Sequence, residues 1–333
     1  MKKYIGKFCK NERGSLPVVM AIAMTALLSF AALVVDLGAA YVRTAVVQTA
    51  ADAAVMAAGM SLPVKTADTA KQAQMKATVA DYLEKNGVSM SADVNIYFAE
   101  KSDGKYFRIG VDVPAKTDTT FARVMGIDEL TFTRSAEARA IPCISLSDVV
   151  PLSVQDSALK NIIASGETQH VVLKYGKKTG EVVQGAFGAI DLDGVQGGGA
   201  NDYCTWLANG YSGELGIGTV LPVESGNMAG PTLTGIRARY NSCTHYAAEG
   251  GCTKDHYVPG CPRVMKVPVV VYTTSKQVKI VGFAAFVLED YTTYASQGYV
   301  VGTYVDMVNV GSVSGDLTGT AEDFGVYSLT LSK

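Results

Sequence analysis

Histidine and tryptophan are scarce: 333 residues hold three His and one Trp. So few imidazoles leave little material for a histidine-based catalytic centre. Charged side chains make up only 18%, and the net charge is −2. Such a balance excludes intrinsic disorder over most of the length and gives no electrostatic footprint for nucleic acid. Glycine is plentiful, at 34 residues, but without a three-residue period, which excludes a collagen helix. Gly-x-Ser-x-Gly and His-Glu-x-x-His strings are absent, and Gly197-Gly198-Gly199 is not followed by the Gly-Lys-Ser/Thr of a phosphate cradle. Ser157-Ala158-Leu159-Lys160 matches the short Ser-x-x-Lys box, and Lys178-Thr179-Gly180 follows too soon after it to be that box's usual companion. Asp191-Leu192-Asp193-Gly194 opens like a calcium loop, but no acidic residue completes it between Gln196 and Ala200. These fragments read as turns and helix surface, and neither a catalytic residue nor a cofactor or small-molecule substrate is expected.

Charge is missing altogether from Ser15 to Val35. As a helix that run reaches about 30 Å, the hydrocarbon thickness of a bilayer. Lys2, Lys3, Lys7, Lys10 and Arg13 precede it against a single acid, Glu12, and Asp36 follows it. The excess of basic residues before the span predicts a cytoplasmic N-terminus, with residues 36–333 outside. A cleaved leader has an apolar region of about 7–15 residues, shorter than this one, so the segment reads as a retained anchor. Pro17 sits in the first turn, where its missing N–H costs little.

Beyond Asp36 the helical pattern continues. Leu37, Ala40, Tyr41, Thr44, Val47, Ala51, Ala54, Val55 and Ala58 recur at three and four residues, until Gly59 and Pro63 end the run. One rod from about Ser15 to Met60 is expected, its lower half in lipid and its upper half against a globular head. Residues 66–86 predict an amphipathic helix capped by Thr66. Val94–Ala99 and Tyr106–Val113 predict a hairpin turning at Ser102-Asp103-Gly104, Thr117–Met125 a short helix, and Glu129–Ile141 a further strand. Residues 61–141 thus make a small α+β module. Residues 142–333, rich in Gly, Tyr and Val, predict a second, β-rich α+β module, with strands near 171–175, 188–192, 267–273, 278–288 and 299–310 and short helices near 157–164, 202–208 and 232–240.

Several strings together resemble one family. Arg13-Gly14-Ser15, the apolar span, Val35-Asp36-Leu37-Gly38 and then Gln48-Thr49-Ala50-Ala51-Asp52-Ala53-Ala54 resemble the N-terminus of TadE/TadG-like Flp (tight adherence) pilus-assembly proteins. Phe121–Ile127 and Thr131–Ala138 also look like that family, where they close the first periplasmic module. The resemblance implies a non-enzymatic component of a pilus machine, held in the bacterial inner membrane and working with other assembly subunits. Val19 stands where a prepilin carries glutamate after its cleavage glycine, which favours the TadG-like branch with an unprocessed N-terminus. The metal-binding Asp-x-Ser-x-Ser string of a von Willebrand A domain is absent.

Cysteine carries the remaining chemistry. Cys9 precedes the span, and Cys143, Cys204, Cys243, Cys252 and Cys261 follow it. In an oxidising compartment these five predict two disulfides and one free thiol, with at least one bridge inside the evenly spaced trio Cys243, Cys252 and Cys261. The competing reading is zinc, since His245 and His256 interleave with the trio, although the spacing matches no zinc-finger template. That alternative would make the chain a membrane-anchored periplasmic metalloenzyme. A surface binding module that uses the Tyr- and Gly-rich tail is a third possibility.

Overall fold

In the computed structural model the described residues are 15–174, 187–194, 199–224, 228–294, 299–309, 313–316 and 318–332. Lys178-Thr179-Gly180, Gly197, Gly198, Arg13 and Gly14 lie outside them.

Helix α1 (Ser15–Gly59) is a single uninterrupted rod, about 68 Å long at the standard rise. Alanine dominates its sequence, and Pro17 stands in the first turn, so nothing breaks the ladder before Gly59. After β1 (Val64–Lys65), helix α2 (Thr69–Lys85) starts one turn later than the sequence suggests. Its cap is Asp68 rather than Thr66: the Asp68 carboxylate accepts the Lys71 N–H at 2.9 Å. Met75, Val79 and Leu83, one helical turn apart, form its buried stripe.

Strands β2 (Asn95–Ser102) and β3 (Lys105–Asp118) form the expected hairpin. Asp103 and Gly104 both adopt positive φ, at 46° and 73°, the left-handed pair that matches strand twist in a two-residue turn. The short helix expected at 117–125 shrinks to one 3-10 turn, Ala122–Met125, because β3 continues to Asp118 and pairs with Glu129. Strand β4 (Glu129–Leu146) runs on through Pro142 and Cys143 and enters the second half of the molecule.

That half contains β5 (Leu152–Gln155), α3 (Asp156–Ser165), β6 (Val171–Lys174), β7 (Phe187–Ala189), α4 (Gly199–Asn209), β8 (Leu215–Gly216), β9 (Val220–Pro222) and α5 (Ala229–Asn241). It continues with β10 (Val264–Thr274), β11 (Gln277–Leu288), α6 (Tyr291–Tyr294), β12 (Val300–Val305), β13 (Met307–Val308), β14 (Val313–Gly315) and β15 (Val326–Ser332). The second sheet has the order β6-β12-β11-β10-β5-β7. Strand β11 is buried on both faces. Phe283, Ala285 and Val287 enter one core, and Ala284, Phe286 and Leu288 the other, so its sequence reads as a continuous apolar run.

The first sheet has the order β1-β3-β4-β15-β13. Strand β15, from the far end of the sequence, pairs antiparallel with β4 from Tyr327↔Pro142 to Ser332↔Glu137. One face of this sheet buries Ile109, Val111, Val113, Ala136, Ala138 and Ala140 against α1 and α2. The molecule is α+β, with a long apolar N-terminal helix ahead of a β-rich body.

Candidate functional site

The rod divides into two chemically different halves. From Leu16 to Val35 almost every side chain is exposed, including Ile22, Leu27, Leu28, Phe30 and Val34 at 66–69%. Water does not tolerate such a cylinder. Lipid or other apolar helices must cover it. Its few hydroxyls are satisfied internally: Thr25 donates to the Ala21 carbonyl and Ser29 to the Thr25 carbonyl, each at 2.8 Å. This is what a segment without water around it requires.

The upper half docks on the head. Val47, Ala50, Ala51, Ala54, Val55 and Ala58 are fully buried against α2, β3 and β4. Small side chains let the rod approach the sheet closely, and a Cβ built on Gly59 would stand 2.9 Å from Leu329 Cδ1 on β15. Gln48 donates from Nε2 to Asp52 Oδ1 at 2.8 Å and to the Ser135 carbonyl on β4 at 3.3 Å. The Gln-x-Ala-Ala-Asp string is therefore a seam: two alanines give contact, and the Gln48 amide, held by the Asp52 carboxylate, ties the rod to β4.

Asp36 forms a second attachment at the end of the uncharged run. Its carboxylate accepts the backbone N–H groups of Thr120 (2.8 Å), Phe121 (3.0 Å) and Ala122 (2.7 Å), and the residue is buried. These bonds, led by Thr120 and Ala122, outweigh desolvation and hold the carboxyl below the usual aspartate range. The 3-10 turn at Ala122 is thereby capped by a side chain from the rod. Gly38, two residues on, has open space around it. The periodic stripe expected between Leu37 and Thr44 is covered only in part: Leu37 and Tyr41 stay exposed, Ala40 and Thr44 are half-buried, and full burial begins at Val47. Below Asp36, Phe121, Ala122 and Val124 face Thr25, Leu28, Ala32 and Val35 across a groove of about 520 Å³. Val124 is 89% exposed there.

Residues 14–61 match the Flp pilus-assembly TadE/G-like family. The TadE/G-like segment coincides with α1 and the turn that follows it, and so contains both halves of the rod, Asp36 and the Gln48–Asp52 seam. No curated protein and no solved structure matches the chain.

The cysteines occupy three environments. Cys143 on β4 is buried in the core shared by both sheets, and burial pushes its thiol up to about 12. Cys204 lies half-buried on α4. Cys243, Cys252 and Cys261 converge with His245, and the four potential ligand atoms all lie within 4.8 Å of one another. Among the described residues, all five cysteines are free thiols in this structure. His256, which the sequence offered equally with His245, turns away: its Nε2 is 3.1 Å from Glu249 Oε2, and its ring stacks edge-on with Tyr246. Desolvation acts to raise the Cys243 thiol, but bonds from the Cys252 N–H, Cys261 and His245 prevail and lower it to about 6. Burial pushes Cys261 the other way, up to about 12.

Two further motifs are held by local contacts. Ser157 and Lys160 sit on the first turns of α3, where Lys160 pairs with Asp156 (2.9 Å) and Glu322 (2.7 Å). Asp191 accepts the N–H groups of Asp193 and Gly194, each at 3.3 Å, and Gly194 takes φ +70°. This is an Asx turn rather than an ion loop. Sequence reading missed the Thr120–Ala122 amides that receive Asp36. The one local hint was that Asp36 is the first charge after the span.

Proposed function

We propose that the chain is a structural or assembly component of a Flp-type pilus system, anchored by a single pass in the bacterial inner membrane. The carrying observation is the TadE/G-like match over a rod whose lower half is apolar and uncovered and whose upper half is tied to a folded head. The N-terminal tail is cytoplasmic and the body periplasmic, in line with the basic residues before Ser15 and the acid directly after Val35. The body acts by protein contact. Small residues at Ala21, Ala23, Ala26, Ala31 and Ala32 suit close approach of neighbouring helices from other pilus-assembly subunits. The head sits directly on the membrane, with Phe121 and Val124 in the apolar layer beside the rod.

Two measurements test this reading. Deleting the gene should abolish surface pili while pilin synthesis continues; normal piliation would refute it. Labelling with a membrane-impermeant thiol reagent should leave Cys9 protected in intact spheroplasts and modify Cys204. Labelling of Cys9 on the same side as Cys204 would overturn the topology.

A further inference from the structure

We propose that Cys243, His245, Cys252 and Cys261 together hold one divalent metal ion of borderline softness, zinc by preference, as a structural clamp on the loop between α5 and β10. This rests on the side-chain cluster and is independent of the pilus reading.

The spacing of the four ligand atoms suits a single ion. A zinc ion at its usual bond lengths separates two sulfurs by about 3.8 Å, and a sulfur from an imidazole nitrogen by about 3.6 Å. Here Cys243 Sγ lies 3.4 Å from Cys261 Sγ and 4.0 Å from His245 Nδ1. All four ligand atoms share a sphere small enough for one ion. A disulfide would use two of the three sulfurs and leave the third thiol and the imidazole without a purpose. A closed Cys3His set uses all four, and with no open position it is structural rather than catalytic.

The surroundings fit a cluster of thiolates. The Cys252 N–H points at Cys243 Sγ (3.5 Å) and the Arg263 N–H at Cys261 Sγ (3.4 Å), the backbone bonds that orient metal-bound sulfur. Three thiolates and a divalent ion leave a net negative charge, and two arginines stand ready for it. Arg263 reaches the Cys252 carbonyl from Nη1, and its Cζ lies over the Tyr240 ring at 3.6 Å from the centroid. Arg239 is buried, and its charge acts on Cys261. Its Nε and Nη1 hold the carbonyls of Leu207 and Pro262, whereas its Nη2 has no hydrogen-bond partner among the described residues. A Cβ on Gly251 would meet the Arg263 guanidinium at 2.6 Å, so the loop closes around that arginine only because glycine stands there, at φ +101°.

The loop also needs a clamp. Residues 242–263 contain no strand and only the three-residue 3-10 turn Ala247–Glu249, with left-handed backbone at Tyr246, Gly250 and Gly251. So long an irregular segment is held by something other than main-chain ladders.

The test uses the full-length chain extracted in mild detergent, with metal measured by mass spectrometry and the thiols counted in the same sample. About one zinc per chain is expected. Cys252→Ser and His245→Ala should lower it at least tenfold, while Cys204→Ser and His256→Ala leave it unchanged. Should the first two variants fail to fold, the unmutated chain still decides the matter: titrated with CoCl2, it should give the absorption of tetrahedral cobalt with sulfur-to-metal charge transfer. Retention of zinc in His245→Ala, or absence of zinc and cobalt from reduced chain, would overturn the proposal. So would a mass two hydrogens lower, mapped to a disulfide within the trio in protein taken directly from the cell envelope.

Discussion

Replacing Ala51 with leucine probes the seam between rod and head at a fully buried position. Ala51 is fully buried where α1 meets the sheet, with Ala50 and Ala54 beside it and Ala138 and Ala140 among the residues of the same core. Leucine adds an isopropyl group at a position with no solvent exposure. Overpacking of this kind costs about 1–3 kcal/mol. For a cooperative unit of roughly 150–250 residues, each kcal/mol moves Tm by about 2–4 °C, so a fall of about 2–12 °C is expected. The control is Ala45→Leu on the exposed side of the same helix, which changes helix propensity equally and touches no core residue. Differential scanning calorimetry of the full-length chain in detergent compares the two. If Ala51→Leu melts with Ala45→Leu, the rod does not pack on the head as described. A shift above 20 °C would be equally damaging, since it would mean that the seam carries the whole body.

Further outcomes follow from other contacts. The Glu137 carboxyl is raised by burial but lowered more by bonds from Tyr97 (2.8 Å) and Arg108 (2.7 Å), so its net shift is downward. A depressed carboxyl gives stability that is full above its unfolded pKa, about 4.3, and lost as pH falls through the lower folded value. Chemical denaturation should therefore be flat for this group above about pH 5 and weaken below about pH 4, with a shallower acid limb in Glu137→Gln. Phe286 is fully buried between β11 and the helices of the second module, and Phe286→Ala should cost about 3–5 kcal/mol in denaturant unfolding. A tryptophan at Val124 should be quenched by brominated lipid acyl chains in vesicles, whereas one at Tyr272, exposed on the far sheet, should not. Equal quenching at both would remove the head from the membrane surface.

Local signals told most about local structure. The uncharged run, the Ala-rich continuation and the Ser102-Asp103-Gly104 turn each dictate backbone geometry within a few residues, and helix α1 and the β2–β3 hairpin follow them closely. What sequence periodicity hid was coverage. The stripe from Leu37 to Ala58 looks uniform, yet its apolar residues are fully buried only from Val47 onward, because the length of a docking face belongs to the sheet and not to the helix. Asp36 signalled the end of a greasy span, but its three amide partners lie in the loop that joins the paired strands β3 and β4, far away in sequence. At the cysteine loop the spacing offered His245 and His256 alike; the left-handed turn at Tyr246 sends one inward and the other toward Glu249.

Strand β15 sets a clock on biogenesis. The wall on which the rod leans is finished by Leu329, which meets Gly59, yet Leu329 is synthesised long after β4 has ended at Leu146. In the topology proposed above, a nascent chain would have to hold α1, α2 and the early hairpin as an unsealed half-structure until β15 is made. A product that stalls before residue 326 leaves β4 unpaired from Glu137 to Pro142 beside α1, so connectivity itself separates a finished chain from a truncated one.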